Sequence, residues 1–373
     1  MKKLLIFHPA LAPYRVDQFN ALSKLFDLEV VFIFDNVWNH KFDQSKLLSQ
    51  LQFKVSYLLR GIRFKGRVFR FGMLKCIRRS NPDIILGYEY SFTTQYLIFL
   101  KRLGFISQQI GSTIDDSIDI CHHVQSRARY FARKQTVKQL DYLVVLSKEV
   151  SFYYQNTFDL KENQIIVSPI LQSPDRLRMN SGVLEQIAKR YTDKYQLHGK
   201  KILLFVGRFI PEKGLVNFLN IVANALKDQE NLMLVFVGEG EERELIQRVI
   251  DEKDLSDAVL LPGRFEGNEL YAWYLAATGF VLPSIYEPFG AVVNEALIFG
   301  LNVLCSVHAG SAVLIGENGT LFNPNDEQDT LSKFVGFIGS MEFLENIQLT
   351  DRPSLMQNDE DDFKKEWEKM IYD

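Results

Sequence analysis

Short apolar strands alternate with longer helical patterns along the whole chain. In the first half the predicted helices include residues 16–26 and 93–103, which lie between strands. These strands are Lys3–Phe7, Glu29–Phe34, Asp83–Leu86, Ile106–Ile110, Tyr142–Leu146 and Ile165–Val167. Parallel strands need a crossover, usually a helix, between them, so the alternation predicts an α/β protein whose parallel sheets are covered by helices on both faces.

The strand and helix pattern starts again after a polar, proline-containing stretch at residues 168–181. The strands predicted there are Lys201–Val206, Leu232–Val237, Val259–Leu261, Phe280–Leu282 and Asn302–Cys305. We therefore predict two doubly wound, Rossmann-like domains, 1–180 and 181–373, facing each other across a cleft. Residues from about 361 to 373 are expected either to form a last helix that packs back on the first domain or to fray as a tail.

Charge is distributed unevenly between the two halves. Residues 1–180 hold 26 Lys+Arg and 15 Asp+Glu, whereas the remainder holds 17 and 31, which gives net charges of +11 and −14. The halves should therefore meet different partners. Cys76, Cys121 and Cys305 lack the spacing of a metal site or a disulfide scaffold, and the first apolar run stops at His8, too early for an export signal. We expect a cytoplasmic protein.

Two predicted strand ends in the second half carry residues suited to phosphate. Ligands of open parallel sheets bind beyond the carboxyl ends of the strands. Gly207, Arg208 and Lys213 follow the first strand of this half, and both cations can contact phosphate oxygens. Gly238 and Gly240 follow the next strand, where missing side chains let a nucleotide approach the backbone.

A third strand end leads through a turn into a helix predicted over Ala291–Phe299. The turn begins at Glu287, and Glu295 lies within the helix. A helix N-terminus favours phosphate, and carboxylates accept hydrogen bonds from hydroxyls, so the pair suggests a nucleotide sugar. Singly, each of these motifs is explained as an ordinary surface turn or a solvated helix face. Their order and common sheet edge favour a ligand site.

Residues 200–325 resemble the nucleotide-binding domain of the family 4 retaining glycosyltransferases, which have the GT-B fold and are also called glycosyl transferases group 1. The resemblance rests on G-R-x(4)-K-G at 207–214, V-G-x-G at 237–240 and E-P-F-G-x(4)-E-A at 287–296. It covers about a third of the chain. It implies a retaining, metal-independent hexosyltransferase that uses a nucleoside-diphosphate sugar such as a UDP-sugar and needs no cofactor, in capsule or other surface polysaccharide synthesis.

The resemblance also implies roles for individual residues. Arg208 and Lys213 would hold the donor diphosphate and offset leaving-group charge, Glu287 would bind the transferred sugar, and Glu295 would accept from the ribose hydroxyls. Arg264 and Phe265 would lie near the base, and the backbone N–H groups of the turn and helix start would contact sugar and phosphate. The further donor-binding positions are Gly207, Gly238, Gly240, Phe289, Gly290, Val292 and Val293.

The first half departs from the family pattern. The loop from His8 to Arg15 has no glycine, so Arg15 either takes over an anion-binding role or is a capping or surface residue. Where relatives carry Thr-x-His-Asp, residues 113–116 place Asp115 at the histidine position. Asp115 then either orients the acceptor hydroxyl or accepts its proton, or it caps a turn. His8 and His122 are candidates for the same side of the reaction, or are structural.

Two basic segments suggest contact with a membrane surface. Residues 60–79 hold eight basic residues and no acidic one, with phenylalanines between them, and residues 127–138 form a second cluster. Such a surface fits anionic headgroups or a lipid-linked acceptor, unless it is an ordinary solvated face. No nucleic-acid motif accompanies the charge. We expect a nucleotide-sugar donor, a glycan or lipid-linked acceptor, and a peripheral position on the inner face of the cell membrane.

Three other functions are alternatives to a glycosyltransferase. A GT-B nucleotide-sugar epimerase would act without an acceptor, and a catalytically silent glycosyltransferase-like subunit would bind a partner instead. An oxidoreductase is disfavoured because no G-x-G-x-x-G follows the first strand of either half.

Overall fold

The computed structural model describes residues 1–37, 41–64, 67–122, 126–343, 348–356 and 360–372. The strands are β1 Lys3–His8, β2 Asp27–Phe32, β3 Val55–Tyr57, β4 Gly61–Phe64, β5 Arg67–Arg70, β6 Ile84–Tyr88, β7 Gln109–Ile114, β8 Tyr142–Val145, β9 Ile165–Val167, β10 Lys201–Val206, β11 Leu232–Val237, β12 Val259–Gly263, β13 Gly279–Leu282, β14 Val303–Ser306 and β15 Gly319–Phe322. The helices are α1 Val16–Leu25, α2 Gln44–Leu48, α3 Met73–Ser80, α4 Phe92–Arg102, α5 Ile118–His122, α6 Arg127–Val137, α7 Lys148–Phe158, α8 Pro174–Arg178, α9 Ser181–Lys194, α10 Leu215–Lys227, α11 Arg243–Glu252, α12 Asn268–Ala276, α13 Ala291–Ile298, α14 Glu327–Ser340 and α15 Glu360–Tyr372.

The first of two compact units comprises Met1–Gln172 together with Asn358–Asp373. Its sheet has seven parallel strands in the order β3-β2-β1-β6-β7-β8-β9. Neighbouring residues of β1 enter two different cores, with Leu4 and Ile6 in one and Leu5 and Phe7 in the other. The sheet is therefore buried on both faces, which explains why its strands are continuous apolar runs.

The last helix, α15, belongs to this first unit. Phe363, Trp367 and Met370 are buried, and their i, i+4, i+7 spacing puts them on one helix face. The Trp367 ring lies 6.3 Å from the Phe26 ring, centroid to centroid, and Trp367 Nε1 donates to Ser168 Oγ at 3.1 Å. The end of the chain thus packs against residues from its beginning.

The second unit, Ser173–Gln357, has a sheet of six parallel strands in the order β12-β11-β10-β13-β14-β15. The strand order reverses between β10 and β13, so the crevice beyond the carboxyl ends of these two strands is where an open α/β sheet binds ligands. A single core of buried side chains surrounds this sheet, including those of Phe205, Phe236 and Trp273.

The structure departs from the sequence-based expectations in the bounds of several strands and in the division between the units. The strand predicted at 106–110 is β7, which runs from Gln109 to Ile114, because Ile106 is instead a buried residue of the turn after α4. The division between units falls after Gln172 rather than 180, since Leu177 of α8 lies in the second core. The basic segment 60–79 contains the antiparallel β4–β5 pair and α3, and residues 65 and 66 of this segment lie outside the described residues.

Across the described ranges, no helix is both long and apolar enough to cross a bilayer.

Candidate functional site

Two residues that were predicted to bind the donor, Lys213 and Glu287, lie together at the carboxyl edge of the second sheet. A short 3-10 turn after β10, Pro211–Lys213, presents Lys213, and the loop after β13 presents Glu287. Lys213 Nζ forms an ion pair and hydrogen bond with Glu287 Oε2. Their side chains are only 15% and 12% exposed. The ammonium group has three donors, so it can contact this carboxylate and a ligand oxygen together.

Backbone hydrogen bonds hold these two loops against each other. The N–H groups of Ile285 and Tyr286 both donate to the carbonyl oxygen of Glu212, at 2.9 and 3.2 Å. On its other side the second loop is fixed by Gly310 N–H, which donates to the Glu287 carbonyl oxygen at 3.1 Å. The Lys213–Glu287 pair is therefore built on a rigid backbone frame.

Helix α13 begins directly beside Glu287, with Gly290 as its N-cap. Within the described part of the chain, the backbone N–H groups of Phe289, Gly290, Ala291 and Val292 donate to no acceptor. The helix start therefore offers a ligand several backbone donors and the positive end of the helix dipole. Val293, whose N–H was also predicted to face phosphate, already donates to the Gly290 carbonyl oxygen at 2.9 Å.

Glu295 accepts a hydrogen bond from Tyr274, a residue that was not predicted from the sequence. The hydroxyl of Tyr274, on α12, donates to Glu295 Oε2 at 2.7 Å, and Glu295 is 7% exposed. Burial, followed by the charge of Glu295, raises the pKa of Tyr274 well above its ordinary value, so the hydroxyl keeps its proton. The Tyr274 ring is stacked on Phe299 at 5.8 Å. This stacking fixes the hydroxyl that orients the Glu295 carboxylate.

Gly238 and Gly240, which were predicted to let a nucleotide approach the backbone, also permit a close contact between two loops of this unit. A Cβ atom on Gly238 would lie 1.8 Å from the Gly207 carbonyl oxygen, and one on Gly240 would lie 2.2 Å from that of Phe209. The close approach at these glycines is thus made by the loop after β10. Phe209 N–H also donates to the Glu239 carbonyl oxygen at 2.9 Å. These glycines therefore lock two neighbouring loops together.

The other residues predicted to bind the donor differ in how many contacts they make within the protein. Arg208 is exposed and makes no ion pair or hydrogen bond within the described ranges, so its guanidinium group is available to an anion. Arg264 pairs with Glu266. The Phe265 ring packs at 5.5 Å from the ring of Tyr191, in an aromatic cluster of the second core. Phe265 is partly buried, so one side of its ring packs against this cluster.

The first unit contains a cavity of about 220 Å³ at the carboxyl edge of its own sheet. His8, Arg15 and Asp115 all line it. His8 Nδ1 donates to the Ala10 carbonyl oxygen at 3.1 Å, which leaves Nε2 as an acceptor. Burial and then the nearby Arg15 charge lower the pKa of His8 to about 3, so the imidazole is neutral at physiological pH.

Arg15 and Asp115 form an ion pair in this cavity. Arg15 Nη2 lies 2.5 Å from Asp115 Oδ2, and Arg15 Nη1 donates to Gln18 Oε1 at 2.6 Å. Burial opposes the charged form of Asp115, but Arg15 outweighs it and holds the pKa of that carboxyl below its ordinary value. A carboxylate so stabilised is a weak base. Asp115 is therefore better suited to orienting a hydroxyl than to taking its proton.

Glu89, which the sequence reading did not select, also lines the cavity. It directly follows β6, and the rule of polar residues after strand ends applies to it as it does to Glu287. The Asp115 N–H donates to Glu89 Oε1 at 2.9 Å. Burial, then the charges of Asp115 and Asp116, raise the pKa of Glu89 to about 8.

His122 is not part of this cavity. It is exposed on α5, and its ring contacts the Tyr153 ring at 5.6 Å. Arg133, from the second basic segment, is largely committed inside the unit, since its Nη1 lies 3.0 Å from Asp116 Oδ2. Among the described residues, no group of three or more His, Cys, Asp or Glu side chains is arranged to hold a metal ion.

Comparison with known proteins assigns a family to much of the second unit. The family described as "Glycosyl transferases group 1" matches residues 189–341. The chain is 28% identical over 166 residues to the 2-deoxystreptamine N-acetyl-D-glucosaminyltransferase of Niallia circulans, covering 44% of this chain and 42% of that protein. It is 24% identical over 220 residues to the O-antigen chain mannosyltransferase B of Escherichia coli, covering 57% and 56%. The chain thus spans about half the length of these curated relatives.

Solved structures resemble the chain over its full length. The Anabaena protein HepE in complex with UDP aligns with a TM-score of 0.71 at 14% identity, covering 100% of this chain and 99% of that one. At this low identity, the structural match shows a shared fold and does not identify substrates.

Proposed function

Because residues 189–341 are a glycosyl transferases group 1 domain in a chain of GT-B fold, both as predicted from the sequence, we propose that the protein is a glycosyltransferase. It would transfer a sugar from a nucleoside-diphosphate sugar to a glycan acceptor. The observation that carries the proposal is the largely buried Lys213–Glu287 pair beside the N-terminus of α13. That arrangement combines a cation, hydrogen-bond donors and a carboxylate at the switch point of a parallel sheet.

The chemistry assigned to this edge is stabilisation of a leaving diphosphate. Lys213 and Arg208 supply positive charge, and the N–H groups at the start of α13 supply oriented dipoles. We assign to Glu287 hydrogen bonds from hydroxyls of the transferred sugar, and to Glu295 hydrogen bonds from those of the ribose. Two cations and a helix N-terminus suffice to offset the developing charge, so we propose transfer without a metal ion and with retention of anomeric configuration.

A panel of UDP- and GDP-sugars tests this proposal. A donor that binds only the folded protein raises its unfolding temperature, so one sugar nucleotide should stand out in thermal-shift assays. With that donor and a glycan acceptor, NMR should show a product of retained anomeric configuration, formed equally well in EDTA. An inverted linkage would contradict retention, and dependence on Mg²⁺ would contradict the metal-free mechanism. Conversion of the donor into its epimer without an acceptor would replace the transferase proposal with an epimerase.

We further propose that the acceptor is lipid-linked and that the enzyme works at an anionic membrane surface in polysaccharide synthesis. The O-antigen chain mannosyltransferase among the relatives supports this setting. So does the surface of the first unit, where Phe99 of α4 is 53% exposed, Leu103, the C-cap of α4, is 55% exposed and Phe131 of α6 is 62% exposed. Gln95 Nε2 donates to Thr136 Oγ1 at 3.0 Å, which joins α4 to α6.

The exposed cations around these apolar side chains suit anionic headgroups. Arg102 ends α4, and Arg127 and Arg129 begin α6, all three exposed. Not every basic residue of the two segments contributes: Arg133 is paired with Asp116, Arg79 Nη2 lies 2.6 Å from Glu29 Oε1, and Lys65 lies outside the described residues. We call Phe99, Arg102, Leu103, Arg127, Arg129 and Phe131 the α4–α6 surface.

Charge reversal should weaken membrane binding. In Arg127→Glu/Arg129→Glu, we expect vesicle affinity to fall at least about 30-fold, because each of the two lost cations contributes about 1 kcal/mol near an anionic surface and the new carboxylates are repelled by it. Sedimentation with liposomes containing anionic phosphatidylserine or phosphatidylglycerol at low salt measures the affinity. The matched control is Lys227→Glu/Lys253→Glu, two exposed lysines of the second unit, which should leave binding unchanged. Absence of binding by the parent protein would remove the membrane proposal.

A further inference from the structure

Glu89 has a backbone conformation that its side chain does not favour. Its φ is 49°, in the left-handed region where a Cβ atom costs on the order of 1 kcal/mol. Four other non-glycine residues in the described part of the chain have positive φ. Asn81 and Asp159 are helix C-caps, and Gln196 and Asp254 directly follow C-caps. Glu89 instead follows a strand and faces a cavity, so the helix-end explanation does not apply.

Three hydrogen bonds fix Glu89 in this conformation. Its N–H donates to the Thr113 carbonyl oxygen at 2.7 Å, and its carbonyl oxygen accepts from Ser112 Oγ at 2.8 Å. The Asp115 N–H then donates to Glu89 Oε1 at 2.9 Å. The other carboxyl oxygen, Oε2, has no partner within the described ranges. The strained backbone thus positions a carboxyl group with one oxygen engaged and one available.

The cavity around Glu89 has the mixed lining of a sugar site. Its volume of about 220 Å³ equals that of roughly seven water molecules, which is enough for one sugar ring. His8 Nε2 is an acceptor, and Asp115, tied to Arg15, offers a carboxylate. Apolar walls complete the lining, contributed by Ala10, Ala12, Phe34 and Val37. Sites for small ligands combine such apolar walls with a few convergent polar groups.

We propose that Glu89 binds a sugar in this cavity through a hydrogen bond between its Oε2 and an oxygen of that sugar. The inference rests on the proposed function and extends it to a residue in the first unit. The sugar comes either from the acceptor glycan or from the donor. Both present the same hydroxyls and ring oxygens, so the two sources are separated by experiment.

Near neutral pH, Glu89 is the donor in this hydrogen bond. Its raised pKa means that the carboxyl is mostly protonated at pH 7. Because Oε1 accepts the Asp115 N–H, the proton is carried by Oε2, which then donates into the cavity. Above about pH 8 the proton and the donor are lost. The other titratable or charged groups that act on Glu89 or are acted on by it are Asp115, Asp116, Arg133, Arg15, Tyr88, Tyr90 and Cys121.

Two substitutions separate this role from a structural one. Glu89→Gln keeps a donor at the same position but does not titrate, so we expect its KM for the sugar to stay within twofold of the parent at pH 7 and to stay flat up to pH 9.5. The parent's KM should rise above about pH 8. Glu89→Ala lacks the hydrogen bond and should raise KM about fivefold at pH 7. A packing defect would not produce this contrast in pH dependence.

The assays also identify the source of the sugar. Donor hydrolysis without acceptor and transfer to acceptor are measured for each variant. A KM effect confined to the acceptor identifies the acceptor glycan, and one seen in hydrolysis identifies the donor sugar; either supports the inference. Equal KM values for parent and Glu89→Ala at every pH would overturn it, as would a Glu89→Gln variant as defective as Glu89→Ala. If Glu89→Ala fails to fold, Glu89→Gln and the parent pH profile still decide.

Binding can be followed without catalysis. Saturation-transfer NMR with methyl glycosides of common hexoses reports sugar contact directly. Should the parent turn over no sugar nucleotide while glycoside binding depends on Glu89, the proposed function fails and the inference stands. Should turnover be normal and binding be independent of Glu89, the inference fails alone.

Discussion

Replacing Lys213 with alanine is expected to lower kcat/KM for sugar transfer by about 10²–10³-fold. That is the range seen when one charge-stabilising group is removed from a site where negative charge develops. Lys213 is only 15% exposed, and bulk water cannot readily replace its ammonium group. Most of the loss should appear in kcat, because the leaving diphosphate gains charge in the transition state.

Steady-state kinetics with the donor identified by thermal shift measures this effect. Lys213→Arg tests whether any cation suffices, since the wider guanidinium group must fit the same pocket. Lys227→Ala is the matched control because Lys227 is exposed at the end of α10, and its activity should equal that of the parent. An unfolding midpoint close to the parent's would show that the lost activity reflects chemistry. Transfer within twofold of the parent in Lys213→Ala would contradict the assigned role.

A double-mutant cycle separates two ways in which Lys213 can act. If it only holds Glu287 in place, then Lys213→Ala/Glu287→Gln should be no worse than the worse single variant. If Lys213 also contacts the leaving group, the double variant should lose further activity. Residues in direct contact show coupling of about 0.5–3 kcal/mol, well above the error of such kinetics.

The fold and the sheet edge of the second-unit site could be predicted from the sequence, whereas the contacts within that site could not. Parallel strands align their carboxyl ends, so the order of strands and motifs was enough to predict that Arg208, Lys213 and Glu287 share one sheet edge. The ion pair between Lys213 and Glu287 was beyond reach, because 74 residues separate them and backbone pairing at Glu212 sets their distance. Gly238 was predicted to admit a nucleotide, and the spacing of residues gave no sign that the Gly207 carbonyl oxygen of the same unit also approaches it closely.

The site residues of the first unit were predicted less completely, for physical reasons. The strand before Glu89 was predicted to end at Leu86, two residues before its observed end at Tyr88, which hid the position of Glu89 just beyond it. Positive φ at a glutamate leaves no mark in sequence, unlike at a glycine. Asp115 was selected through a resemblance, and only the Arg15 contact shows that its charge is already compensated.

The largest expected effect on stability comes from Trp367. Its ring is 1% exposed, in the core that α15 shares with the first sheet. Trp367→Ala should destabilise the first unit by about 3–5 kcal/mol, because truncating a buried aromatic loses transfer free energy and leaves a cavity. For a unit of this size, that corresponds to a fall in unfolding midpoint of roughly 10 °C. Thermal unfolding followed by calorimetry measures it.

Trp367 also ends a hydrogen-bond chain that leads to the first-unit cavity. Ser168 Oγ accepts from Trp367 Nε1 and from Gln18 Nε2, both at 3.1 Å, and Gln18 Oε1 accepts from Arg15. Trp367→Phe keeps most of the packing but removes the indole donor, so it should cost about 1 kcal/mol, far less than alanine. Tyr372→Ala, at an 81% exposed aromatic on the same helix, is the matched control and should leave the midpoint unchanged. Equal midpoints for Trp367→Ala and Tyr372→Ala would mean that α15 does not stabilise the first unit.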